Sequence, residues 1–95
     1  MSIRWLTGAT RSLRAVHHFI AADNQAAARR VVVRIERAVE RLDAHPLSGR
    51  QGTVAGTREL VVPGLPYLVV YRIQDADVII LRVLHTKHEL GRQFQ

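Results

Sequence analysis

Ninety-five residues suit one domain and are too few for two, because compact domains rarely fall below about 50 residues and divide only beyond about 250. Apolar residues make up 47% and charged residues 23%, so a disordered or low-complexity chain is excluded. With no cysteine there is neither a disulfide framework nor a thiolate zinc site, and no apolar run approaches the roughly 18 to 20 residues of a membrane span. The start MSIRWLTGATRS lacks the apolar stretch of a signal peptide, so a soluble, unprocessed cytoplasmic protein is expected. Fourteen basic against eight acidic residues leave a net charge of +6, and Lys87 is the only lysine. Arginine presents a planar fork of donors that pairs bidentately with carboxylate or phosphate, so the expected partner is acidic, either nucleic acid or an acidic protein segment.

Ile3-Arg4-Trp5-Leu6 is short, half apolar and bounded by Thr7-Gly8, which predicts a first strand with Trp5 as a core anchor. From Thr7, an expected N-cap, Ala9, Leu13, Val16 and Ile20 recur at steps of three and four and line one face of a helix that runs to about Ala22. Asp23-Asn24 breaks the pattern and supplies a second N-cap. Ala27, Val31, Ile35, Val39 and Leu42 then continue at helical spacing as far as His45-Pro46. So short a connection predicts an antiparallel helix pair over about residues 7–45.

Pro46-Leu47-Ser48-Gly49-Arg50-Gln51-Gly52 reads as turn chemistry that separates the helices from a β half. In that half, Thr57 to Val62 alternates, with Arg58, Leu60 and Val62 on one side and Glu59 and Val61 on the other. Pro63-Gly64-Leu65-Pro66 turns the chain. Tyr67 to Ile73 and Val78 to His85 are dense in β-branched and aromatic residues, with Gln74 to Asp77 as a hairpin loop. Three antiparallel strands are therefore expected over about residues 57–86, followed by a short tail, 87–95. Val78-Ile79-Ile80-Leu81 does not alternate, which predicts a central strand covered on both sides. The whole is an α+β fold of order β-α-α-β-β-β, a strand and helix hairpin packed on a mainly antiparallel sheet.

Chemistry-bearing residues concentrate at strand ends. Arg58 opens one strand and His85 closes another, with Lys87, His88 and Arg92 following in the tail. If these gather at one end of the sheet, they form a basic edge fit to bind a target. A ribonuclease would use Arg58, His85, Lys87 and His88 as the phosphate-binding cation, base and acid that 2′-hydroxyl attack requires. Solvated strand-end charges are the plainer alternative. No metal or other cofactor is expected: His85 and His88 lie three apart, His17 and His18 are adjacent, and neither pair comes with a third ligand. Arg29, Arg30, Arg34, Arg37 and Arg41 on the second helix fit a solvated face better than a nucleic-acid site, since no aromatic residues interleave them.

The order of elements, with Pro46-Leu47-Ser48-Gly49-Arg50, Thr57-Arg58-Glu59-Leu60, Pro66-Tyr67 through Val70-Tyr71-Arg72 and Val83-Leu84-His85, resembles the RelE/ParE superfamily of type II toxin–antitoxin toxins from Ile3 to about Glu89. The position after Tyr67 is Leu68, where the messenger-cleaving RelE branch carries an arginine, and the tail has no tyrosine, so the ParE branch is the nearer. The resemblance implies a small basic toxin neutralised by the C-terminal segment of a cognate antitoxin, with DNA gyrase as target. Its alternatives are a ribosome-dependent messenger RNA endoribonuclease and an inert subunit that only completes an antitoxin complex.

Overall fold

Ser2–Trp5 forms strand β1 in the computed structural model, which describes residues 2–87; Ile3 and Trp5, alternate residues of this strand, pack against the core. Helix α1 (Thr7–Ala21) follows directly. Thr7 is already helical and does not cap it; Leu6 occupies the cap position without a side-chain bond. The reason lies in the main chain. The Leu6 N–H still donates to the Ile80 carbonyl of the sheet, while the Leu6 carbonyl accepts from Ala9 and Thr10, so strand passes into helix with Leu6 alone between them. Helix α2 (Gln25–Glu40) does begin as expected, the Asn24 side chain accepting from the Ala27 N–H at 2.9 Å. It gives way to a 3₁₀ turn at Arg41–Asp43 that keeps Leu42 fully buried short of Pro46.

The sheet has five strands in the order β1-β5-β4-β3-β2, with β2 (Arg50–Gln51), β3 (Arg58–Val61), β4 (Tyr67–Gln74) and β5 (Asp77–His85). Only the β1–β5 pair is parallel. Strand β2 falls inside the stretch read as a turn. It forms because Arg50 and Gln51 pair with Glu59 and Arg58, and Arg50 reaches the buried Glu59 carboxylate through both Nε and Nη2 at 3.2 Å. The β4–β5 hairpin closes through Asp75 and Ala76 alone, Asp75 taking the left-handed conformation that aspartate tolerates better than most side chains.

Strand β5 is interior, between β1 and β4, while the middle place in the sheet belongs to β4. Val78, Ile79 and Ile80 are all buried although successive residues face opposite sides, so this part of β5 is covered on both faces, as the missing alternation predicts. Tyr71 pairs with Ile80 and Val70 with Arg82, so Leu81 is a bulge residue that shifts the facing of the residues after it. Val78, Ile80 and Val83 thereby join the helix-side core with Val69, Tyr71, Ile35, Val39 and Leu42.

Candidate functional site

Strand β1 is only four residues long and ends opposite Ile80, so the last residues of β5 have no strand on that side. Helix α1 lies there instead. The Ser12 hydroxyl accepts from the Val83 N–H at 2.8 Å and donates to the Ala9 carbonyl at 2.9 Å, satisfying one edge donor from a helix. Beside this contact a groove of about 450 Å³ opens between α1 and the end of β5. Ala15, Val16, Phe19, Tyr67, Val83 and Leu84 make it mostly apolar, and His85 and Lys87 border it. Phe19 is 70% exposed, the largest apolar surface on the helix pair.

Ser12, Ala15 and Phe19 are not among the site residues that strand ends and charge predict. The signal for them is a second run at steps of three, one and three, residues 12, 15, 16 and 19, which shares Val16 with the core stripe but lies to one side of it. Two apolar residues beside a completed core stripe mark a face that the fold itself does not cover.

At the end of the groove His85 stands edge to face with Tyr67, and its Nδ1 accepts the Lys87 N–H at 3.1 Å, so that nitrogen carries the lone pair. Burial raises the Tyr67 hydroxyl above its ordinary value.

Arg58 lies elsewhere. It pairs with Tyr71, whereas His85 pairs with Tyr67, four residues away along β4. Because β3 and β5 both run antiparallel to β4, they run parallel to each other, and the start of one lies at the opposite end from the finish of the other. The two backbones are therefore on the order of 16 Å apart, from four strand residues and two strand spacings. The expected single basic edge joining Arg58 to His85 does not form. The Arg58 guanidinium turns inward to the loop before β2, donating to the Gly49 carbonyl at 2.8 Å. Lys87 remains beside His85, and His88 and Arg92 lie outside the described residues.

That loop is itself fixed by Tyr71. Its hydroxyl accepts from the Gly49 N–H at 2.9 Å and donates to the Pro46 carbonyl at 2.7 Å. A side chain at Gly49 would come within 2.6 Å of the same oxygen, which is why the close approach needs glycine. Arg58, Tyr71 and Glu59 thus form a support for the β2 loop, whereas the α1–β5 groove is open.

A family model described as the ParE toxin of type II toxin–antitoxin systems, parDE, matches residues 3–90. A Sinorhizobium fredii protein, Y4kP, is 45% identical over 87 residues, covering 92% of this chain and 90% of the relative. Toxin RelE2 of Caulobacter vibrioides is 36% identical over 81 residues, covering 85% and 90%. Among solved structures, the chromosomal ParDE system of P. aeruginosa superposes with a TM-score of 0.80 at 27% identity, covering 90% of this chain and 95% of that one. The RelBE2 toxin–antitoxin complex of Mycobacterium tuberculosis gives a TM-score of 0.64 at 26% identity, covering 88% and 95%.

Proposed function

Because this chain belongs to the ParE toxin family of type II toxin–antitoxin systems, we propose that it arrests growth by binding a protein target, DNA gyrase, and that a cognate antitoxin holds it inactive. The observation that carries this reading is the separation of Arg58 from His85. Cutting RNA by 2′-hydroxyl attack needs a base, an acid and cations around one phosphate, each within hydrogen-bond reach of it. Arg58 instead serves the Gly49 carbonyl. Leu68, buried to 1% exposure, adds an apolar side chain where the messenger-cleaving branch carries an arginine. Recognition of a protein surface makes no such geometric demand.

The antitoxin in this reading lays apolar side chains along the α1–β5 groove against Phe19 and Leu84, while its acidic side chains pair with surface arginines. Both of the superposed structures are toxin–antitoxin systems, which supports such a partner. Its affinity then falls only in part as salt rises, because the apolar contact is not screened.

Messenger cleavage is the second reading, favoured by the 36% identity to toxin RelE2, with His85, Lys87 and His88 as its groups. Inducible expression in a bacterial host separates the two. A DNA-damage response with translation intact, together with inhibition of supercoiling by purified gyrase, supports the gyrase reading. Prompt arrest of translation with intact DNA overturns it.

A further inference from the structure

We propose that the exposed face of α2 is a second docking site, for an acidic segment of a partner protein that presents one apolar side chain between carboxylates. Arg29, Arg30, Val33, Arg34 and Arg37 surround an open well of about 360 Å³. Positions 29, 33 and 37 form one row of the helix surface and positions 30 and 34 the next, so the four guanidinium-bearing chains are gathered over little more than two turns. The lining is nevertheless mostly apolar. Val33 is 41% exposed there, and arginine side chains contribute methylene stems as well as charge.

None of these four arginines makes an ion pair among the described residues. Like charges at this spacing oppose one another along the helix, and an anionic ligand relieves that opposition. One of them is also held in place. Arg34 Nη2 donates to the Pro63 carbonyl at 2.6 Å, a contact that fixes the guanidinium without neutralising it. Gly64 permits the approach: its backbone is left-handed, at φ 76°, and a side chain there would come within 2.8 Å of Arg34 Nη2. A pre-positioned cation lowers the ordering cost of binding.

The apolar floor selects between anions. A nucleic-acid backbone would meet the guanidinium groups but leave Val33 uncovered, and no aromatic side chain lines the well to stack a base. A segment with leucine or a similar side chain between glutamates or aspartates fills the well and answers the charge together. This surface shares no residue with the α1–β5 groove, so the proposal stands apart from the choice of cellular target.

The test uses the full chain and a fluorescein-labelled dodecapeptide carrying one leucine flanked by glutamates, read by fluorescence anisotropy. Saturable binding is expected. Val33→Asp, and separately the pair Arg30→Gln and Arg37→Gln, should weaken it by at least about tenfold, and replacing the peptide's leucine by serine should do the same. The pair Arg11→Gln and Arg14→Gln removes equal charge from α1 and should change affinity less than about twofold. All the substituted side chains are exposed, and far-UV circular dichroism verifies that each variant folds. Amide shifts in the unsubstituted chain, expected over residues 29–37 on adding peptide, give an independent map. An absence of binding, an equal loss from the α1 pair, an unchanged affinity for the serine peptide, or tighter binding of a single-stranded or duplex oligonucleotide through the same arginines overturns the proposal.

Discussion

Tyr67 and His85 face each other where β4 begins and β5 ends, their rings edge to face with centroids 5.3 Å apart and planes at 83°. The contact keeps the tyrosine in surroundings that disfavour its charged form, and burial holds its ionisation above the ordinary value of 10.0. The neutral hydroxyl is thus favoured by folding. Its contribution to stability is complete below the unfolded-state value and is lost as pH rises through the folded-state value. Urea unfolding measured from about pH 8 to about pH 11 should show a steeper alkaline loss in the unsubstituted chain than in Tyr67→Phe. Equal slopes would mean that the tyrosine titrates alike folded and unfolded.

Tyr71→Phe removes one oxygen that serves two main-chain groups, the Gly49 N–H and the Pro46 carbonyl. Leaving such groups unmatched costs about 1 to 3 kcal/mol. In a domain of this size each kcal/mol lowers the melting temperature by roughly 4 to 8 °C. Calorimetry of the variant should find a drop of about 4 °C or more, and an unchanged midpoint would show that water replaces the hydroxyl without loss.

Glu59 is 4% exposed and takes Arg50 on Oε1 and the Thr53 N–H, at 3.4 Å, on Oε2. Its partner Arg50 is largely in water, its side chain 63% exposed. The two ends of the pair should therefore respond differently. Arg50→Ala strands a buried carboxylate, whereas Glu59→Gln keeps an acceptor in place and returns Arg50 to solvent. Denaturant unfolding should find Arg50→Ala the more damaging, by about 1 kcal/mol or more. The reverse order would mean that solvent reaches the carboxylate once Arg50 is gone.

Phe19→Asp changes a side chain that is mostly in water, so folding stability should move by no more than about 0.5 kcal/mol. Antitoxin affinity should fall by about 2 kcal/mol or more if the phenyl ring anchors the groove contact. Titration calorimetry against the cognate antitoxin checks this, and undiminished affinity would move the antitoxin to another face.

A binder and a catalyst answer differently to loss of proton transfer. Replacing His85 and His88 by glutamine should leave growth arrest nearly unchanged, since a ribonuclease would lose on the order of 10²-fold per missing acid or base. Reversing charge at Lys87, which borders the groove, and at Arg92 should abolish toxicity if these cations meet the target. Arg58→Glu is the wrong probe for target binding. Its guanidinium holds the Gly49 carbonyl, so the change should lower stability first, detectable as a shifted unfolding midpoint.

Elements with strong local grammar were legible in the sequence. The stripe from Ala9 to Ile20, the Asn24 cap, the run from Val31 to Leu42 and the β-branched strands from Tyr67 to His85 depend on nearest neighbours along the chain, and each appears where periodicity predicts it. Composition likewise predicted an arginine-dominated surface. Three features required the third dimension. Strand β2 exists because Glu59, eight residues after Gln51, supplies an opposite charge and a register, not because Arg50-Gln51 favours extension. The Leu81 bulge reconciles the pleat of β5 with that of β4, a relation between two strands that neither shows alone. Arg58 and His85 lie at opposite ends because strand direction alternates across β4, and this topological fact outweighs their shared position at strand termini. The same cause left the groove unread: Phe19 and Ala15 look like ordinary helix surface until a four-residue β1 ends early and leaves the end of β5 without a strand beside them. Local sequence determines which segments become helix or strand, because those preferences act over one turn or one pleat; which side chains meet depends on strand length, direction and register, which are decided only when distant segments pack.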